Sequence, residues 1–182
     1  MPSKRHILLE TKRFNAVEQV VTRPDGTVAT LQYVEHPGSV AILPLVDDQH
    51  VCLIRSHRLT VGETLIEVPA GTREPDEPAI ETARRELAEE TGYRAARLEE
   101  LVNYYPSPGI SNERMWVFIA HDLTAGDPAR EPNEEIENYV VSWDEALAMI
   151  DRGEIRDGKT LVAILTWERQ RRGAGSEDRG TR

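Results

Sequence analysis

Apolar and polar residues alternate in short runs over the first third of the chain, as they do in β-strands with one buried face. The runs occupy residues 14–22, 28–35, 40–46 and 51–55. Between the first two lies RPDG at residues 23–26, which has the proline and glycine of a tight turn. The pattern predicts four antiparallel strands over residues 13–57 and a shorter strand at residues 65–68.

The period of the pattern then changes from two to between three and four residues, which is typical of a helix. The apolar or small residues at this spacing are Ile80, Ala83, Leu87 and Thr91. Pro78 suits a first helical turn and Gly92 suits a helix end. The sequence therefore predicts a helix over residues 77–91.

Strand patterns return after this helix, and the chain closes with two further helical patterns. The strands are predicted at residues 98–105, 115–120 and 136–141, and the helices at residues 142–150 and 160–171. Ser142 and Glu145 have the spacing of a capping box. This order of elements predicts a mixed α+β or sandwich fold. A small, polar and charged tail follows at residues 173–182.

Composition limits the classes of partner. The chain has 182 residues, with 32 acidic against 22 basic side chains and a formal charge of −10. Such a field repels nucleic acid and anionic membranes, so we expect neither as a partner. A small anionic substrate then requires a metal ion or an arginine cluster. One cysteine, Cys52, and no long apolar run favour a reducing, cytoplasmic location.

Three carboxylates project from one side of the predicted helix. At about 100° per residue, Glu86, Glu89 and Glu90 fall within an arc of about 100°, next to the apolar arc. Converging carboxylates suit Mg²⁺ or Mn²⁺. The alternative is a solvated acidic face, which charge runs commonly form. Arg85 can offset part of the repulsion through Glu89, four residues later.

The wider spacing around these glutamates discriminates between the two interpretations. Residues 71–93, GTREPDEPAIETARRELAEETGY, fit the pattern G-x5-E-x7-R-E-L-x-E-E-x-G followed by a hydrophobic residue. A chance match is on the order of one in ten million per starting point. The segment resembles the Nudix box, the signature of the Nudix hydrolases.

This resemblance implies an α+β fold of the Nudix type, an α/β/α sandwich around a mixed β-sheet. It also implies Mg²⁺- or Mn²⁺-dependent hydrolysis of a nucleoside diphosphate linked to a group X. By the same resemblance Glu86, Glu89 and Glu90 are metal ligands, Arg85 orients the carboxylates, and Gly71 permits the loop before the helix.

The segments that flank the box resemble those of ADP-ribose pyrophosphatases. They are EVPAG at residues 67–71, YPSPGISNE at residues 105–113 and RSHR at residues 55–58. In that subfamily the carbonyl at the position of Ala70 also binds metal. The resemblance assigns five residues to the substrate, namely Arg55, Arg58, Glu67, Pro108 and Glu113. For the two arginines, an exposed turn is the alternative.

A general base is expected in the acidic segment at residues 133–137, because related pyrophosphatases place a loop glutamate just before a late strand. Glu134 is the first choice and Glu135 the second. An exposed acidic loop without a catalytic role is the alternative, and Glu89 is then the base, since some members of the family use a box glutamate.

The resemblance also implies a domain division. Residues 1–37 resemble the N-terminal strands by which these enzymes form homodimers, residues 38–172 form the hydrolase domain, and residues 173–182 are a disordered tail. Phe14 or Val20 of a partner subunit would stack on adenine. The expected products from ADP-ribose are AMP and ribose 5-phosphate. The alternatives are a pyrophosphatase for FAD, NADH or a GDP-sugar, and a non-catalytic ADP-ribose sensor.

Overall fold

The computed structural model describes residues 4–130 and 135–177, and side chains only to residue 173. Its strands are β1 (Arg5–Glu10), β2 (Asn15–Thr22), β3 (Val28–Glu35), β4 (Ser39–Pro44), β5 (His50–Arg58), β6 (Glu63–Glu67), β7 (Ala70–Thr72), β8 (Arg94–Tyr104), β9 (Met115–Thr124) and β10 (Ile136–Ser142). Its helices are α1 (Ala79–Thr91), α2 (Trp143–Asp151) and α3 (Gly158–Glu177).

Strand β4 lies at the centre of the molecule and is buried on both faces. Its side chains alternate between two apolar clusters, as the two-residue period of a strand requires. Val40 and Ile42 pack in the cluster that contains Leu87 of α1. Ala41 and Leu43 pack in the larger cluster beneath α2 and α3. Layers of helix therefore cover both sides of this strand.

Three sheets surround this centre. A mixed sheet has the order β7-β4-β9-β8, in which β4 and β9 are parallel and the other pairs antiparallel. The order β10-β5-β6 forms a second, antiparallel sheet. The N-terminal strands form a third sheet, β1-β2-β3. Together with the helix layers, this arrangement confirms the expected α+β fold, an α/β/α sandwich around a mixed sheet with an antiparallel N-terminal extension.

The predicted series of four antiparallel strands is wrong in its second half. Strands β2 and β3 pair as expected, but β4 and β5 lie in different sheets, and an isolated bridge joins Leu45, just after β4, to Val51. All six residues of β4 are buried. A strand buried on both faces takes a central position among distant strands rather than beside its neighbour in sequence.

The helices agree with the sequence except at their ends. Helix α1 begins after Pro78 and stops at Gly92, whose φ of 80° is left-handed. A side chain at Gly92 would also meet the carbonyl oxygen of Gly126 at 2.2 Å. The Ser142 side chain accepts a hydrogen bond from the backbone N–H of Glu145, as a capping residue should. Helix α3 continues to Glu177, into the predicted tail.

The single cysteine, the lengths of the helices and the first strand complete the description of the fold. Cys52 is fully buried, and burial raises the pKa of its thiol to about 11, so this cysteine is an inert core residue. Within the described ranges, no helix has the length and apolar character needed to cross a membrane. The sequence pattern missed β1, whose residues are all exposed.

The N-terminal sheet is joined to the rest of the molecule through the end of β3. The backbone N–H of Val34 donates to the carbonyl of Ile110 (2.8 Å), and Val34 accepts from the N–H of Asn112 (3.1 Å). The Asn112 side chain in turn accepts from the N–H of His36 (2.8 Å). These bonds hold the sheet against the loop between β8 and β9.

Candidate active site

Helix α1 and strand β7 form part of the wall of a cavity of about 610 Å³. Six residues that the sequence assigned to the site line this cavity: Arg58, Ala70, Arg85, Glu86, Glu89 and Glu90. They come from three separate elements, β5, β7 and α1. The fold therefore brings the three box carboxylates together with two guanidinium groups and the backbone of β7.

Arg85 is the centre of the hydrogen-bond network on α1. One guanidinium nitrogen donates both to Glu86 Oε1 (2.7 Å) and to Glu89 Oε2 (3.0 Å). The other two nitrogens donate to the carboxylate of Glu77, each at 3.2 Å. Burial opposes the charge, yet these carboxylates raise the pKa of Arg85 further above its ordinary value. A permanent cation therefore offsets the repulsion among these carboxylates.

Gly71 allows the carboxylate of Glu86 to lie directly against strand β7. A β-carbon built at residue 71 would stand 1.9 Å from the Glu86 carboxyl carbon, so any other residue here would displace the Glu86 carboxylate from this position. The glycine is thus required by this close approach. The sequence had given it the role of permitting a loop, but residue 71 lies within a strand.

Glu90 is fixed by a different contact. Its side chain is almost fully buried, with 4% exposure. One oxygen accepts a hydrogen bond from the backbone N–H of Ala70 at 3.0 Å. The bond ties the last turn of α1 to β7, so the carboxylates of Glu86 and Glu90 both contact the same short strand.

The donor set of this cavity fits a hard divalent cation. Carboxylate and peptide oxygens are the ligands that Mg²⁺ and Mn²⁺ prefer, and Glu86 and Glu90 both lie against the backbone of residues 70–71. Across the residues that the structure describes, no three acidic, histidine or cysteine side chains form a ready-made metal centre. Glu86 and Glu89 are instead bonded to Arg85, and Glu90 to the N–H of Ala70.

Arg58 and Glu67 form an ion pair beside the cavity. Two guanidinium nitrogens of Arg58 donate to the Glu67 carboxylate at 2.9 and 2.5 Å, and Lys159 donates to it at 2.7 Å. Burial alone would raise the pKa of Glu67, but these two cations lower it below its ordinary value. Glu67, with 1% exposure, therefore binds Arg58 and Lys159 and is not among the residues that line the cavity.

Four other predicted residues lie away from this cavity. Arg55 stacks on the ring of Tyr139 at 3.9 Å. Glu113 accepts a hydrogen bond from the Ser39 hydroxyl at 2.7 Å. Pro108 lies in the loop before β9, and Glu135 is exposed just before β10. The preferred base, Glu134, lies outside the described residues.

Sequence reasoning missed two residues that organise the site. Glu77 was matched as a motif position without a role, and in the structure its carboxylate forms an ion pair with Arg85. Arg73 donates twice to the Glu77 carbonyl, at 3.1 and 2.5 Å, and its guanidinium lies 4.8 Å from the ring centre of Trp116. The fixed position of Glu77 in the motif could have identified this residue from the sequence, whereas nothing in the sequence marked Arg73.

The bond between Glu77 and Arg85 makes part of the stability depend on pH. Arg85 lowers the pKa of Glu77 from 4.5 to about 2. The ionised Glu77 carboxylate therefore contributes fully to the free energy of unfolding above about pH 4.5, and this contribution is lost as the pH falls towards 2. We expect Glu77→Gln to lower the free energy of unfolding by about 1–2 kcal/mol at pH 7 and by little near pH 2. Urea unfolding at both pH values measures this, with the exposed Glu81→Gln as control. A loss independent of pH would contradict it.

Comparisons with known proteins agree with this geometry. The model of the NUDIX domain family matches residues 35–163. The chain is 36% identical over 146 residues to an ADP-ribose pyrophosphatase of Bacillus subtilis (strain 168), an alignment that covers 79% of each chain. It is 34% identical over 156 residues to a GDP-mannose pyrophosphatase of Shigella flexneri serotype 5b (strain 8401), covering 79% of this chain and 81% of that one.

A solved structure described as an ADP compounds hydrolase superposes with a TM-score of 0.80 and covers 94% of each chain. Its 20% sequence identity supports the fold alone. The match of the family model spans well over half of this chain and includes the whole box with the cavity-lining part of α1. The chain therefore belongs to the NUDIX domain family and is a Nudix hydrolase.

Proposed function

We propose that this chain is a Mg²⁺- or Mn²⁺-dependent pyrophosphatase that hydrolyses ADP-ribose to AMP and ribose 5-phosphate. The observation that carries the proposal is the meeting of Glu86, Glu89 and Glu90 with Arg58 and Arg85 at one cavity. A relative named as an ADP-ribose pyrophosphatase supports the choice of substrate. A relative named as a GDP-mannose pyrophosphatase, with 34% identity, makes GDP-mannose the second candidate.

In this proposal Glu86, Glu89, Glu90 and the carbonyl of Ala70 hold the cation. The chemistry that bound Mg²⁺ or Mn²⁺ supplies to a diphosphate is neutralisation of its charge and a lower pKa of nearby water. Arg85 sets the orientation of Glu86 and Glu89 through its two hydrogen bonds. The intact set of box residues favours this catalytic function over that of a sensor.

Hydrolysis also requires a group that accepts a proton from the attacking water. The water oxygen bonds to one phosphorus, the bridging P–O bond breaks, and the two products leave as phosphate monoesters. We propose Glu134 as the base, with Glu135 next. Support comes from Glu135, whose carbonyl accepts a hydrogen bond at 3.2 Å from the N–H of His57, the neighbour in sequence of the cavity-lining Arg58. Glu89, which is 42% exposed at the cavity, is the alternative base.

The proposal extends to a homodimer formed by the N-terminal sheet. The support is the exposure of large apolar side chains on β1, since Ile7, Leu8 and Leu9 are each about half exposed, and exposed apolar patches commonly mark interfaces. Phe14 or Val20 of the partner would then stack on the adenine. Light scattering measures the mass in solution, for which we expect two chains. A fully active single chain would contradict the dimer.

A substrate panel tests the proposed activity. ADP-ribose, GDP-mannose, FAD, NADH and deoxynucleoside triphosphates are compared by kcat/KM, each with Mg²⁺ and with Mn²⁺. We expect the highest value for ADP-ribose, AMP and ribose 5-phosphate as the products, and loss of turnover after chelation with EDTA. A higher kcat/KM for GDP-mannose would transfer the assignment to the second candidate.

Two Glu→Gln substitutions separate metal binding from proton transfer. We expect Glu90→Gln to abolish turnover and weaken Mn²⁺ binding without unfolding the chain, because glutamine keeps the acceptor for the Ala70 N–H but has no charge. Glu134→Gln should lower kcat strongly with little change in Mn²⁺ affinity. Calorimetric titration with Mn²⁺ and steady-state kinetics provide the two readouts.

The matched control is Glu81→Gln, which removes an exposed carboxylate from the same helix away from the cavity. We expect it to leave both readouts unchanged. Retention of most activity in Glu90→Gln would reject this residue as a ligand. An unchanged kcat in Glu134→Gln would assign the base to Glu135 or Glu89.

A further inference from the structure

The turn between β1 and β2 reaches the cavity that holds the box carboxylates. Lys12 and Arg13 at the tip of this turn line the cavity together with residues of α1 and β7. The same two side chains line an adjoining hollow of about 340 Å³, which also includes Phe14. The N-terminal sheet is thus part of the wall of the candidate active site.

The turn is held in shape by its own hydrogen bonds. The Thr11 hydroxyl oxygen accepts from the backbone N–H of Phe14 (3.0 Å) and from that of Arg13 (3.2 Å). The same hydroxyl donates to the carbonyl of Phe14 at 2.6 Å. A threonine that bonds to the backbone in this way fixes a turn locally. The shape of the turn therefore does not depend on the side chains of residues 12 and 13.

The charges on Lys12 and Arg13 are not neutralised by nearby acids. Both side chains are exposed, and over residues 4–130 and 135–177 neither forms a hydrogen bond or an ion pair. The other cations of this cavity are engaged, since Arg58 binds Glu67, Arg85 binds three carboxylates and Arg73 donates to the carbonyl of Glu77. Two available cations at a substrate cavity, in a chain of net charge −10, favour an anionic ligand.

We propose that Lys12 and Arg13 form a phosphate-binding pair that the N-terminal sheet contributes to the active site of its own chain. The pair binds the diphosphate of the substrate. This inference rests on the proposed function, because it takes the ligand to be a nucleoside diphosphate. The match to the family model begins at residue 35, so the pair lies outside the matched domain.

The pair should act on substrate affinity more than on the chemical step. It belongs to a turn remote in sequence from the base segment and from the box, and it contacts phosphate oxygens both before and during bond cleavage. Contacts that bind ground state and transition state equally change KM and leave kcat nearly constant. Because the attraction is between exposed charges, added salt should weaken it.

The test compares two double variants of equal charge change. Lys12→Ala/Arg13→Ala removes the pair, whereas Lys4→Ala/Arg23→Ala removes a lysine and an arginine of the same N-terminal segment that line neither hollow. The probes are ADP-ribose in steady-state kinetics and α,β-methylene-ADP, with Mg²⁺, in calorimetric titration.

We expect the first variant to raise KM and the Kd of the probe about tenfold, with kcat within about twofold of the native value. The control variant should match the native protein in KM, in the Kd of the probe and in kcat. Lys12→Arg/Arg13→Lys keeps both charges and should bind within about twofold of native. The salt dependence of KM should be shallower in the first variant than in the control.

Equal KM and Kd in both double variants would overturn the phosphate-binding pair and leave the proposed function intact. A fall in kcat with unchanged KM would also overturn it, because the residues would then act on the chemical step. A native protein that neither hydrolyses ADP-ribose nor binds α,β-methylene-ADP would overturn the proposed function itself, and the pair with it.

Discussion

Repulsion among carboxylates that share one cavity is the constraint on which the site depends. Arg85 offsets it by bonding to Glu86 and Glu89 on one side and to Glu77 on the other. Hydrogen bonds between a guanidinium group and carboxylates are among the stronger ones in proteins. The negative charge of these glutamates is thereby kept together inside a folded domain.

The scaffold around this network is anchored by buried contacts. Helix α1 is anchored by Leu87 against β4, and both are fully buried. Gly71 brings the carboxylate of Glu86 onto the backbone of β7. Leu87 and Gly71 thus fix the positions of the helix and the strand between which these glutamate side chains lie. Such preorganisation is what electrostatic catalysis demands of a protein.

The sequence predicted the parts of the molecule that are local. The motif and its 3.6-residue period located α1 and placed Glu86, Glu89 and Glu90 on one side of it, and the structure places all three at one cavity. Sheet order was predicted less well, because the parallel neighbour of β4 is β9, more than seventy residues later. Pairing over such a distance leaves no local pattern. The contact of the β1–β2 turn with the cavity was missed for the same reason.

The two arginines of β5 show a second limit of sequence reasoning. Arg55 and Arg58 are three residues apart, and an odd separation in a strand directs side chains to opposite faces. Accordingly Arg58 lines the cavity and Arg55 lies against Tyr139 on β10. The two-residue period implied that only one of the two arginines could face the site. Which of them does so follows only from the tertiary structure.

Anomalous scattering from crystals grown with Mn²⁺ tests the central claim most directly. The account predicts a manganese peak between α1 and β7, within coordination distance of the carbonyl oxygen of Ala70 and of at least two carboxylates among Glu86, Glu89 and Glu90. A map with no manganese in this cavity, and with Glu86 and Glu89 still bonded to Arg85, would contradict it.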